Sequence, residues 1–143
     1  MPKGKLAYDA TSVPVTRSQD ELKKLLMKNG ASGMAFVSQP PLEGFQAQVV
    51  IEGKTYTIRV QCVARQMKHE DDQNQEERRI WRVLYYHMKA VFESANSGLL
   101  EFRELILPYI VTRQGKTIAE HILPQLESAV QTDPGKLLPS GKD

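Results

Sequence analysis

Arg78, Arg82 and Lys89 recur at helical spacing in the run from Arg78 to Phe92, and Tyr85 and Tyr86 lie between them. On a helix turning about 100° per residue the three cations fall within a narrow arc flanked by the two tyrosines. Cations in such an arc can match the spacing of nucleic-acid phosphates, and tyrosines among them can stack on exposed bases. The plainer alternative is a solvated face, paired with Glu76, Glu77 and Glu93. Arg59, on the polar side of a predicted hairpin, is a further candidate for phosphate contact. So are Arg113 and Lys116 in Arg113-Gln114-Gly115-Lys116-Thr117, which ends like a phosphate-binding loop. A glycine would be required where Ile110 stands, so a nucleotide P-loop is rejected. What survives is a single-phosphate site at a helix N-terminus, a role that Glu120 partly fills through a capping box.

Other chemistry finds little support. His69, His87 and His121 have no metal-ligand spacing among themselves or with Cys62, so neither a metal nor a cofactor is expected. Cys62 falls on the inner face of the hairpin, where a thiol behaves as a small hydrophobe. Glu120 and His121 are adjacent on a helix and point in different directions. No catalytic residue is assigned, and an enzyme of unknown type ranks third among the functional readings.

The cations need a helix to align them, and the chain supplies one from about Gln73 to Asn96. Its inner stripe is expected to be Ile80, Leu84, His87, Met88, Val91 and Ala95, with Trp81 and Phe92 on the shoulder. The acids of Glu70-Asp71-Asp72 suit its positive end. A sheet should lie beneath the stripe: Gly33 to Ser38 reads as one strand, and Phe45–Ile51 and Lys54–Val63 as a hairpin around Glu52-Gly53. With a two-residue turn Val49 faces Tyr56, Ala47 faces Ile58 and Phe45 faces Val60, while Gln48 pairs with Thr57 and Gln46 with Arg59. One face is then apolar and the other polar in both strands, which fixes the register. That polar face lacks the exposed aromatics of an RRM.

Before the sheet, Ser12 to Thr16 reads as an edge strand and Ser18-Gln19-Asp20-Glu21 as a capping box opening a helix that stops at Asn29-Gly30. After the long helix, Leu99 to Leu107 reads as a helix stopped by Pro108, and Tyr109-Ile110-Val111 as an extended piece. This segment is more apolar than one helical face can explain, so it lies mid-domain or forms an interface. Thr117 to Glu120 is a second capping box, opening a helix to about Gln131 that Pro124 bends. Residues 1–12 and 132–143 are expected to be flexible ends around one domain, 13–131.

At 143 residues the chain is long enough for a core without staples. Its 19 basic and 17 acidic residues leave a net charge of +2, too little to act by net charge alone, so any basic function must come from local clustering. The single cysteine excludes an intramolecular disulfide, and no apolar run follows the basic start. A cytoplasmic location without membrane association is expected.

The helix-strand-strand-strand-helix order resembles that of double-stranded RNA-binding domains. The lysine cluster that opens their last helix is replaced here by Glu76-Glu77-Arg78-Arg79, so the likeness is one of topology. A second resemblance rests on Ile80-Trp81-Arg82-Val83-Leu84, Lys89-Ala90, Glu93, Ser97-Gly98, Phe102, Tyr109-Ile110-Val111, Gly115 and Thr117 to Glu120, with Thr16-Arg17-Ser18, Leu25-Leu26 and Gly30-Ala31 upstream. These residues resemble a set of uncharacterised small proteins of bacteria, phages and mobile elements that read approximately WRAL, IKAKLEA, SGI, F, YIV and DGRT. The chain departs from the set at Arg113-Gln114, where Pro-Asp is expected, and at Tyr85-Tyr86, where the set is more aliphatic. The resemblance implies a prokaryotic or phage setting and no particular activity.

The fold expected is α+β: a three- or four-stranded, mainly antiparallel sheet, a short preceding helix, and a long helix with two shorter successors on one face. The leading function is a non-enzymatic nucleic-acid-associated protein of a phage or mobile element, contacting the backbone of DNA or RNA through Arg78, Arg82, Tyr85, Tyr86, Lys89, Arg59, Arg113 and Lys116. The alternative is a protein-interaction module, an inhibitor or accessory subunit of a host or phage complex, whose partner docks on Leu99–Val111 or on the polar sheet face; a second copy would also use Leu99–Val111.

Overall fold

A computed structural model of the protein describes residues 6–129. Its elements run α1 (Val15–Lys28), β1 (Gly33–Gln39), β2 (Leu42–Ile51), β3 (Lys54–Val63), α2 (Glu70–Asn96), α3 (Phe102–Ile106), α4 (Ile118–Ile122) and α5 (Leu126–Ala129). Single 3₁₀ turns at Leu107–Tyr109 and Leu123–Gln125 link the short helices. The strands form one antiparallel sheet in the order β1-β2-β3, so the fold is α+β as expected.

The hairpin adopts the expected register, with Phe45 opposite Val60, Ala47 opposite Ile58 and Val49 opposite Tyr56. Glu52 and Gly53 both take positive φ, 51° and 80°, the geometry of a primed turn, whose twist matches that of the flanking strands. Because side chains alternate, Phe45, Ala47, Val49, Ile58 and Val60 all point to one face, and all are buried there. Both long helices lie on that face. Ser18 and Glu21 of α1 meet Arg82 of α2, and Asn29 meets Asn96, so the helices run side by side in the same direction. Leu22 and Leu26 from α1 complete a core with Ile80, Trp81, Leu84, Met88, Val91 and Phe92 from α2.

Trp81, expected on the shoulder, is fully buried. Its ring meets Phe36 edge-on, with centroids 5.4 Å apart, and its Nε1 donates to Glu43 Oε1 at 3.1 Å. Ser38 Oγ donates to the other oxygen of that buried carboxylate, which is therefore partnered on both sides.

Several local expectations are corrected. The edge strand at residues 12 to 16 does not form: Pro14 is the N-cap of α1, where its missing N–H costs nothing and its fixed φ suits helix entry. Ser18 is consequently not a cap. It sits a turn inside α1, fully buried, and its Oγ accepts from Arg82 Nε at 3.1 Å. Glu70, Asp71 and Asp72 form the first turn of α2 rather than preceding it. His87 is exposed rather than part of the stripe, and its Nε2 meets Tyr109 Oη at 2.9 Å.

The helix expected from Leu99 begins only at Phe102, through a capping box of Glu101 and Glu104, and Pro108 lies inside the 3₁₀ turn that follows it. Ile110 and Val111 are extended as expected: Ile110 bridges to Ile58, and Val111 N donates to Thr57 O at 2.8 Å. The capping box at Thr117 forms with both bonds in place. The helix it opens is interrupted by the 3₁₀ turn around Pro124, and its expected end at Gln131, like the 132–143 tail, lies outside the described residues.

Residues 6–12, expected to be flexible, are tied to α2. Gln75 Nε2 donates to the carbonyls of Asp9 and Thr11, and Asp9 pairs with Arg65. These ties converge on Glu76, whose carboxylate is wholly inaccessible. It accepts from Arg65 N at 2.7 Å, from Arg65 Nε and Nη2 at 2.9 and 2.7 Å, and from Arg79 Nε and Nη2 at 2.7 and 3.0 Å. Burial pushes its pKa up, but the bonds from Arg79 and Arg65 outweigh burial and hold it at about 2.

A carboxyl held below its unfolded value stabilises the protein above that unfolded value, and the stabilisation is lost as pH falls toward the folded one. Glu76 should therefore contribute about 3 kcal/mol at neutral pH, lost from about pH 4.5 downward. Urea unfolding followed from about pH 6 to about pH 2.5 should show this acid loss, and Glu76→Gln should flatten it. An unchanged acid slope in the variant would show that other carboxyls carry it.

Candidate functional site

The expected basic ridge is split by the packing of α1. Arg82 is only 6% exposed, its guanidinium held by Ser18 Oγ and, at 3.3 Å, by Glu21 Oε2. This corrects its expected place on an outer face: α1 covers the arc that periodicity assigned to solvent. Arg78 remains partly exposed and is steadied by Gln75 Oε1 at 3.0 and 2.6 Å. Lys89 is half-exposed and stands 4.0 Å from Glu93. Glu76, expected to dilute the ridge, is instead the buried partner of Arg65 and Arg79.

Tyr85, half-buried, and Tyr86, 39% exposed, belong to the same cluster. Tyr86 stacks in parallel on Tyr8, with centroids 5.2 Å apart, and meets Tyr85 edge-on at 5.1 Å. Arg82 lies 4.8 Å from the Tyr85 ring and 5.4 Å from that of Tyr86, and Lys89 lies 5.7 Å from the latter. The rings thus shield a nearly desolvated guanidinium. A base could not stack on the Tyr86 face already covered by Tyr8.

The other candidates lie elsewhere. Arg59 Nη1 donates to Gly115 O at 3.0 Å and stands 3.7 Å from Glu120 Oε1, which fastens the 112–117 turn to the sheet. Arg113 and Lys116 on that turn are exposed, with no ion pair among the described residues. Glu120 has its pKa lowered, first by the Thr117 amide, then by the Thr117 side chain and by Arg59 and Lys116 nearby. Of the eight named residues, the structure brings Arg82, Tyr85, Tyr86 and Lys89 together as one packed cluster, and Arg59, Arg113 and Lys116 near one turn. Arg78 stands apart from both.

Arg78 does line a cleft of about 590 Å³ between residues 10–16 and α2. The first turn of α1 opens into it without a side-chain cap and without an acid. Unpaired helix amides beside a guanidinium suit an anion, although Glu77 shares the cleft wall. Burial raises the Glu77 pKa, and the neighbouring charge of Glu43 raises it further.

The most distinctive surface is apolar. Leu99 is 72% and Leu123 61% exposed, and Leu100, Leu107, Ile122 and Leu126 are also exposed. Beside Leu107 a groove of about 440 Å³ is floored by Ile51, Tyr56, Ile110 and Ile118. Arg103 rims it, bonded to Glu52 at 3.0 Å and to Glu101 at 2.7 Å. Sequence periodicity recognised the excess of leucine here; the exposure arises because α3 and α4 have only five residues each and bury one side of one turn.

No group of three or more His, Cys, Asp or Glu among the described residues could hold a metal ion. Cys62 is half-buried, and burial pushes its thiol pKa up. Burial also lowers the pKa of His87. No described helix is long and apolar enough to cross a membrane.

Sequence reasoning missed the Arg65–Glu76–Asp9 network and the role of Ser18. The second left a signal: Ser18 precedes Leu22 and Leu26 at four-residue spacing on the buried face of α1, and a serine in such a stripe needs a polar partner from the facing helix. If Arg82 is structural, Arg82→Glu should cost about 3 kcal/mol or more in urea unfolding, whereas Arg78→Glu should stay within about 1 kcal/mol. Equal small effects would return Arg82 to the surface. No protein-family model, no curated protein and no solved structure matches the chain.

Proposed function

We propose that the chain is a non-enzymatic protein-interaction module that docks a partner protein on the leucine-rich surface of residues 99–126. The observation supporting this reading is an apolar groove that Leu107 lines, in a segment that also exposes large aliphatics at Leu99, Leu100, Ile122, Leu123 and Leu126. Exposed apolar surface of this kind on a small protein marks a place where a partner binds. An apolar floor rimmed by Arg103, Glu52 and Glu104 has the composition of an interface core with a polar edge. The phage or mobile-element setting is carried into the reading by the sequence resemblance alone.

A second reading, phosphate contact by a nucleic acid, is favoured by the cleft where Arg78 meets the uncapped start of α1. On that reading Arg78, Arg113, Lys116 and Lys89 touch phosphate, while Arg82, Tyr85, Tyr86 and Arg59 hold the fold that presents them.

The two readings separate cleanly. Cross-linking in the native host should map a partner protein to residues 99–126 in a nuclease-insensitive way. Leu107→Glu with Leu123→Glu should reduce that capture at least tenfold, with stability within about 1 kcal/mol of wild type because both side chains are exposed. Undiminished capture by the double variant, or cross-links only elsewhere, would sink the protein-docking reading. For the phosphate reading, binding of a labelled oligonucleotide should weaken steeply with salt and fall several-fold in Arg78→Gln. Binding indifferent to either would remove it.

A further inference from the structure

The two edges of the sheet are treated differently. The outer edge of β3 is covered at its middle, where Val111 N donates to Thr57 O and Ile110 bridges to Ile58. The outer edge of β1 has no hydrogen-bond partner among the described residues over its whole length. Native proteins blunt such an edge with a charge, a proline or a bulge. β1 uses none of these: Gly33-Met34-Ala35-Phe36-Val37-Ser38-Gln39 carries no charge and no proline, and it pairs with β2 residue for residue. The prolines at 40 and 41 follow the strand and do not interrupt it.

We infer that β1 pairs antiparallel with β1 of a second copy of this chain, joining two sheets into one across a two-fold axis. A strand of seven residues has Phe36 at its centre, so a two-fold there sets Phe36 against its own mate, Ala35 against Val37 and Met34 against Ser38. Neither strand brings a like charge to the other. The Phe36 ring, 38% exposed beside Trp81, lies on the inner face and is covered by the partner's ring, an aromatic cross-strand pair of the favourable kind. A two-fold pairing uses β1 of both copies, and the bridge to Ile110 interrupts the middle of each β3 edge, so the assembly closes at two copies instead of propagating. This surface is separate from residues 99–126, and the inference does not depend on the partner-docking reading.

The test is the solution mass with engineered cross-links. Sedimentation and light scattering should give twice the 16.2 kDa chain mass, and Ala35→Lys, on an exposed outer-face position, should weaken association at least tenfold while leaving the circular dichroism spectrum unchanged. In a Cys62→Ser background, mixing Ala35→Cys chains with Val37→Cys chains should give more disulfide-linked dimer than either alone. A wild-type chain that stays monomeric at about 100 μM overturns the inference. So does a dimer that Ala35→Lys leaves intact, or one whose cross-links map to residues 99–126.

Discussion

The carboxylate of Glu76 is the constraint on which much of this molecule's arrangement depends. A buried charge is tolerated only when its lone pairs are filled, and here two guanidiniums and a main-chain amide fill them. Filling them fixes three things at once: the start of α2, the β3–α2 connection through Arg65, and, through Asp9, the segment that leads into α1. Hydrophobic burial alone would let α1 slide along α2. The second polar contact, Arg82 with Ser18 and Glu21, then selects one alignment of the two helices.

That alignment changes the meaning of a charged helix. Periodicity identifies which residues share an arc, but it cannot say whether solvent or another helix faces them. On α2 one side meets the sheet and part of the other meets α1, so only Arg78 and Lys89 of the expected cations keep access to solvent. The tyrosines follow the same logic. Packed against Tyr8, Arg82 and each other, they act as insulation for a desolvated charge.

The sheet was legible because its evidence was redundant. Two strands of matching alternation and a Glu52-Gly53 turn each imply the same register, and α2 was legible over most of its length for the same reason. What escaped was non-local or singular. Ser18 to Glu21 satisfies a capping pattern in sequence, yet Pro14 offers an earlier start and Arg82 a better partner for the serine. His87 lies at a stripe position, but Met88 beside it is the buried residue of that turn, and the His87 ring meets Tyr109 instead. Of the candidate site residues, types and spacing were readable from the chain, whereas their burial depended on a helix more than sixty positions away in sequence. The apolar excess after residue 99 was readable from the chain, whereas how much of it stays exposed depended on how short α3 and α4 are.

The ties at the N-terminus also bear on how the chain is made. Asp9 and Thr11 find their partners at Arg65 and Gln75, separated by 56 to 66 positions, so the closing loop is long although its entropic cost grows only slowly with length. During synthesis α1 leaves the ribosome before α2 and lacks its polar partner Arg82 until α2 has followed it. The β2–β3 hairpin, whose contacts are local, can form in the interval. The segment that leads into α1 is therefore translated before its partners and secured only after them, and Leu22 and Leu26 lack α2 until then.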